Sequence, residues 1–312
     1  MLLKILLIRN DNIGDLVCTT PAIEAIRKKY PSSKIDIVVN SLNSFVVKNN
    51  PFLDKIYIYT KTKHKDKFLD KAIAFFKKGK ILYEIKKEKY DICIIFRSSY
   101  SKYAGLFAKI SKAKRVIGVD ENKEANFITD KIPYTDINEA KICFEILKPL
   151  EIYYGGEKTF LNFSIKHEKY KDFIFFHVSS RIKKNKISKD KICEILKFLK
   201  IKYNNIIITA EDDNFASDIS KKVSVEYLKT NNLNELISYL QFAKFLITLD
   251  GGIAHIAPAI GVNTLIIFGK TDINRWKPIY TNAKCIALQD ETKIAENVDN
   301  KLIFDMILKE FL

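Results

Sequence analysis

Residues 246–269 read LITLDGGIAHIAPAIGVNTLIIFG. A short apolar run enters Asp250, two glycines turn the chain, small residues and His255 follow at helical spacing, and Gly261 precedes a second apolar run. Strand, tight turn, helix and strand in so short a stretch make a βα unit of a parallel sheet. The first N–H groups of such a helix lack intrahelical partners, and its dipole adds roughly half a positive charge there. Gly251 and Gly252 carry no Cβ to hold a diphosphate away. His255, one turn in, offers a donor to phosphate or sugar, or else packs on the sheet. Asp250 would repel phosphate, so it is expected to fix the turn by accepting backbone amides or to accept sugar hydroxyls.

Outward from this unit the same alternation fills the chain. Strands are expected at 2–8, 34–39, 55–59, 90–96 and 114–119, with helices at 21–30, 67–78 and 103–111 and another, EAKICFEILKPL, ending near Pro149. A second cycle begins with DFIFFHV (172–178), then a helix at 188–203 with Ser188 as its N-cap, a strand at 205–210, a helix at 234–244 and a strand at 244–249. The segment 150–172 is irregular and holds a Gly-Gly pair, so the domain linker is expected within it. The expectation is an α/β chain of two doubly wound domains, 1–160 and 161–312, facing a central cleft. The loop SSRIKKNKIS (179–188), after a strand, brings Ser179, Ser180, Arg181, Lys183, Lys184 and Lys186 to that cleft, where a lysine could neutralise a leaving diphosphate without a metal.

Composition narrows the function. At 47% hydrophobic and 29% charged the chain is globular, and no apolar run reaches the ~20 residues that cross a bilayer. The N-terminal run reads as a buried strand rather than a signal peptide, so a cytoplasmic protein is expected. Five cysteines without CxxC spacing and four scattered histidines offer no metal site. The net charge of +16 is concentrated in 61–90, with eleven Lys against four acids. That is either a solvated helix face or an attraction to something anionic. The turn RNDNIGDLVCTTP (9–21) lacks the glycines of a dinucleotide fingerprint, which argues against a dehydrogenase. No nucleic-acid-binding module is visible, so no nucleic-acid partner is expected.

ILLIRNDNIGDLVCTTPAIEAIRKKYP and LDGGIAHIAPAIGVNTLIIFGKTDINRWKP together resemble the N- and C-terminal motifs of glycosyltransferase family 9, the heptosyltransferases of lipopolysaccharide core assembly. The two occur in order and span nearly the whole chain. The resemblance implies a GT-B fold, with the acceptor bound mainly by the first Rossmann-like domain and the nucleotide sugar mainly by the second. It implies inverting, metal-independent transfer, with heptose moving from ADP-heptose to Kdo-lipid A or a heptose acceptor. It makes Asp15 the general base and assigns Asp250, Gly252 and His255 to the donor. Ser179, Ser180, Lys184, Lys186, Glu211 and Gly251 complete the expected donor set, and Asn12, Gly14 and Arg97 the acceptor set. Asp11 is expected to be a turn or capping residue.

The chain departs from the family pattern at three places. Gly251 replaces the usual Ser or Thr, Lys270 stands where Pro is common, and the position of the family's donor-binding lysine falls on Asn185, so Lys184 or Lys186 would substitute. The alternative within the family is another nucleotide sugar for a different surface glycan. The basic helix with Phe68, Leu69, Ile73, Phe75 and Phe76 is expected to rest on the acidic inner-membrane surface, where a lipid-linked acceptor resides.

Overall fold

The computed structural model describes residues 2–61, 68–99, 101–120, 125–163 and 165–312. Residues 62–67 of the basic segment, and the side chain of Phe68, lie outside the described residues. The chain divides into two compact units, Met1–Asn162 and Phe163–Leu312.

The first unit is built on strands β1 (Lys4–Ile8), β2 (Lys34–Asn40), β3 (Lys55–Tyr59), β4 (Ile92–Ile95), β5 (Arg115–Val119) and β6 (Asp130–Ile132). They form one parallel sheet in the order β3-β2-β1-β4-β5-β6. Ile5, Leu6, Leu7 and Ile8 of β1 are wholly buried, which is why this strand is an unbroken apolar run rather than an alternating one. The helices are α1 (Ile13–Lys29), α2 (Phe68–Glu88), α3 (Lys102–Ser111) and α4 (Glu139–Leu147). The chain leaves β1 and β4 toward opposite edges of the sheet, so the carboxyl ends of these two neighbours flank the switch point at which doubly wound sheets bind ligands.

Two details of α1 follow from its sequence. Pro21 lies inside the helix and has no N–H for the carbonyl of Val17. The Thr20 hydroxyl supplies that bond at 2.7 Å and also accepts the Phe160 N–H at 2.9 Å. The Thr-Pro pair thus keeps the helix satisfied and fastens the end of the unit to it. Helix α2 runs ten residues beyond the expected end at 78, through Gly79 to Glu88. A Cβ added at Gly79 would meet nothing within 4 Å, and the helix cost of one glycine, about 1 kcal/mol, is offset by Ile85, buried in the core on the same helix.

The second unit has β7 (Ile174–His177), β8 (Ile206–Thr209), β9 (Glu226–Tyr227), β10 (Phe245–Leu249), β11 (Thr264–Phe268) and β12 (Cys285–Gln289), all parallel in the order β12-β11-β10-β7-β8-β9. Its helices are α5 (Lys189–Lys202), α6 (Asp213–Val223), α7 (Leu233–Leu240), α8 (Gly252–Ala259), the short α9 (Ile273–Trp276) and α10 (Asn300–Glu310). Ser188 caps α5, accepting from the Lys191 N–H at 3.1 Å. Gly261, with φ +89°, ends α8 in the left-handed conformation that favours glycine, and the Val262 N–H closes back on the Ala257 carbonyl at 2.9 Å. Here β7 and β10 flank the switch point, again at the carboxyl end of the sheet.

Candidate functional site

In the first unit the turn from β1 to α1 carries Arg9, Asn10, Asp11 and Asn12, and it closes without glycines because two asparagines hold it. Asn40, ending β2, donates to the carbonyls of Asn10 and Asp11 at 2.9 and 2.7 Å, and Asn43 donates to those of Arg9 and Asn12 at 3.3 and 3.4 Å. Asn12 is the exposed N-cap residue of α1, and Gly14 is buried in its first turn. Asp15 follows with 11% of its side chain exposed.

Arg9 is wholly buried and gathers three carboxylates. Its Nη2 donates to Asp15 Oδ1 at 2.9 Å and to Glu139 Oε1, on α4, at 2.7 Å, while its Nε lies 3.0 Å from Asp11 Oδ1. Asp11 therefore does not cap the helix. Its other oxygen pairs at 3.1 Å with Arg97, which reaches across from the end of β4 and donates to Asn10 Oδ1 at 3.4 Å. Arg97 is no loose surface residue, since only 17% of its side chain is exposed. Two cations against three carboxylates leave this cluster one negative charge in excess, a physical setting for accepting a proton.

Burial, with Asp15 nearby, pushes the Asp11 carboxyl up to about 7, against the pull of Arg9 and Arg97. The folded protein then holds the Asp11 proton more tightly than the unfolded chain, so the stability from this group is full below pH ~4 and is lost as pH rises through ~7. Asp11→Asn removes that loss. The stability of Asp11→Asn relative to wild type is expected to rise by about 1–4 kcal/mol between pH 4 and pH 8, read from urea unfolding at the two pH values. A difference that does not change with pH would contradict this.

In the second unit, loops from four strands meet at the switch point. After β7, Ser179 accepts the Glu211 N–H at 2.7 Å, which joins it to the end of β8, and Ser180 donates to the Asp250 carbonyl at 3.3 Å, which joins it to the end of β10. Glu211 is exposed beside Arg181, 3.4 Å away. His177, the last residue of β7, is buried against the Thr209 hydroxyl at 3.0 Å, and burial lowers its pKa to about 4.

Asp250 departs from expectation. Its carboxylate accepts from side chains, the Asn185 amide at 2.9 Å and the Thr271 hydroxyl, rather than from backbone amides. Asn185, in a 3-10 turn over Lys183–Asn185, is wholly buried and also accepts the Lys270 N–H at 2.7 Å. The residue at the family's lysine position is thus a latch between the 183–185 turn and the loop after β11. Lys184 and Lys186, on either side of it, are exposed. Gly269 makes the latch fit: a Cβ there would lie 2.1 Å from the Lys184 carbonyl oxygen and 2.7 Å from Asn185 Oδ1. Gln289, ending β12, fixes the same loop by donating to the carbonyls of Gly269 and Thr271 at 2.8 and 2.6 Å.

Helix α8 starts against this frame. Gly251 is its N-cap residue, in extended backbone with φ 168°, and provides no side chain to cap the first-turn amides. An added Cβ at Gly251 would find only the Leu249 carbonyl, at 4.0 Å, so the turn does not require glycine there. Gly252 begins the helix, and His255 is buried with its ring edge-on to Trp276, centroids 6.2 Å apart. The structure thus gathers Ser179, Ser180, Glu211, Asp250, Gly251, Gly252 and His255 around one strand-end crevice of the second unit, and Asn12, Gly14, Asp15 and Arg97 around that of the first. Arg9, Glu139, Asn185, Gly269 and Thr271 belong with them, although the sequence patterns did not single them out as site residues. Among the described residues no cluster of His, Cys, Asp and Glu is arranged to hold a metal ion.

Two Rossmann-like units of this kind define the GT-B class of fold. Several proteins similar to this chain are heptosyltransferases. The model of glycosyltransferase family 9 (heptosyltransferase) matches residues 173–303. Lipopolysaccharide heptosyltransferase 1 of Campylobacter coli is 23% identical over 90% of this chain and 86% of its own. Lipopolysaccharide heptosyltransferase 3 of Escherichia coli is 20% identical over 86% and 84%. Among solved structures, the E. coli heptosyltransferase WaaC with ADP superposes with a TM-score of 0.82 at 15% identity, over 98% of this chain and 99% of that one. These likenesses support a glycosyltransferase similar to those of family 9, with the family match itself lying in the second unit.

Proposed function

We propose that the protein moves a heptose from ADP-heptose to a lipopolysaccharide core acceptor, Kdo-lipid A or a heptose on it, with inversion and without a metal. The first unit binds the acceptor and the second the donor. The observation that carries this reading is the crevice of the second unit, where the uncapped first turn of α8, Ser179 and Ser180 lie beside a lysine-rich turn. Backbone amides and ammonium groups suit a diphosphate, and WaaC, of the same fold, is described with ADP.

In the transfer, the acceptor hydroxyl attacks the anomeric carbon from the face opposite the nucleotide. Asp15 takes the hydroxyl proton as the new C–O bond forms. The bond from the anomeric carbon to the diphosphate breaks, and the charge growing on ADP is met by the α8 amides and by Lys184 or Lys186. Arg97, held by Asp11, meets an anionic group of the acceptor, with Asn12 and Gly14 beside it. The replacement of the family's Ser or Thr by Gly251 and of its lysine by Asn185 favours a second reading, a donor other than ADP-heptose for another surface glycan. Calorimetric titration with ADP, GDP, UDP and CMP separates the two: ADP at least tenfold tighter than the rest is expected, and preference for another base would replace the first reading with the second.

The lipid-linked acceptor suggests a role for α2 at the acidic face of the inner membrane. No described helix is long and apolar enough to cross a bilayer. Leu69, Ile73 and Phe76, spaced to share one face, are 73, 51 and 74% exposed, and Phe75 is 61% exposed beside Lys78. Apolar side chains among lysines suit an anionic interface, each basic residue adding about 1 kcal/mol. Reversing Lys71, Lys77 and Lys78 to Glu is therefore expected to weaken binding to vesicles containing anionic lipid by about a hundredfold or more. Unchanged sedimentation with such vesicles would contradict it.

A further inference from the structure

Glu139 lies 124 residues from Asp15 in the chain, yet both carboxylates contact one nitrogen. Arg9 Nη2 gives one N–H to Asp15 at 2.9 Å and the other to Glu139 at 2.7 Å. A buried guanidinium serving only to hold an ion pair favours the two-pronged arrangement on a single carboxylate. Here it is divided between two carboxylates, and among the described residues the buried Nη1 finds no hydrogen-bond partner while Nε stands only in the ion pair with Asp11. Glu139 is 1% exposed and is the first residue of α4, where the helix N-terminus favours negative charge. It is too enclosed to meet a substrate, whereas Asp15 retains an exposed edge.

We propose that Glu139 is a positioning residue for the transfer: by sharing Arg9 Nη2 it orients Asp15 and keeps the guanidinium from pairing with that carboxylate alone. This rests on the reading of Asp15 as the base. The other titratable groups around Asp15 do not replace this role. Asp11, on the turn after β1, shares Arg9 through Nε and is itself tied to Arg97. Cys143 on α4 and Cys18 on α1 are held as neutral thiols by burial, Cys143 pushed up to about 12. Glu139 is thus the buried anion that competes with Asp15 for Nη2.

The test is the pH profile of kcat/KM for heptose transfer from ADP-heptose. The rate falls on the acid side as the base becomes protonated. Glu139→Gln leaves Asp15 facing a less compensated Arg9, so the acid limb is expected to move down by about one pH unit, with a lower plateau and unchanged ADP affinity. Arg9→Lys, which loses the shared nitrogen, is expected to move the limb up. Opposite shifts are not produced by loosened packing. Should Glu139→Gln not fold, Glu139→Asp withdraws the carboxylate by one methylene and is expected to shift the limb down by a smaller amount. Limbs that stay at the wild-type position in the folded variants overturn the role of Glu139, provided that Asp15→Asn is inactive. Turnover by Asp15→Asn would instead remove the reading beneath it.

Discussion

Asp15→Asn should lower the rate of transfer by about a thousandfold or more, within the range that a positioned general base supplies, while ADP binding stays within a few fold of wild type. The substitution keeps the side-chain size and leaves Arg9 facing Glu139 at 2.7 Å and Asp11 at 3.0 Å, so the fold is expected to persist. Asp11→Asn is the informative companion. Asp11 sits in the same cluster and its carboxyl is the one pushed up to about 7, yet it is tied at both oxygens to arginines. Its loss should cost far less turnover than the loss of Asp15. A variant pair with the opposite order would make Asp11 the base.

Gly269→Ala should weaken binding at the proposed donor crevice from a position that need not touch substrate. The new Cβ would lie 2.1 Å from the Lys184 carbonyl, a clash with backbone that cannot rotate away. The 183–185 turn must move, which breaks the hydrogen bonds of Asn185 to Asp250 and Lys270. Overpacking of this kind costs about 1–3 kcal/mol, and calorimetry is expected to show ADP affinity reduced at least tenfold together with a lower Tm. Gly251→Ser is the control, because the space there is open to 4.0 Å. That variant should fold like wild type and bind ADP at least as well, restoring the hydroxyl that the family carries. If Gly269→Ala binds ADP normally, the latch does not shape the donor site.

The fold was legible because parallel strands buried on both faces leave apolar runs, as KILLI and FLITL do, and because the glycines near Asp250 and at 261 mark where a helix starts and ends. The short edge strands Asp130–Ile132 and Glu226–Tyr227 escaped notice, since two or three half-exposed residues carry no periodicity. Helix α2 was expected to end at Lys78, whereas the core contacts of Ile85 carry the helix on through Gly79 to Glu88. The site was legible only where chemistry sits beside a turn. Nothing in the sequence marks Glu139, because only the packing of α4 beside α1 brings it to Arg9. Arg9 itself read only as the first residue of the turn after the strand. Asn185 read as a missing lysine, because sequence spacing shows which residue is absent but not that its replacement ties two loops together.

The proposed activity is transfer of heptose from ADP-heptose to a lipopolysaccharide core acceptor. The direct measurement is incubation of the purified protein with ADP-heptose and Kdo-lipid A in the presence of a chelator, followed by mass and NMR analysis of the glycolipid. One added heptose, released ADP, and an anomeric configuration opposite to that of the donor are expected. No added heptose under conditions where the protein binds ADP, or a product of retained configuration, would contradict it.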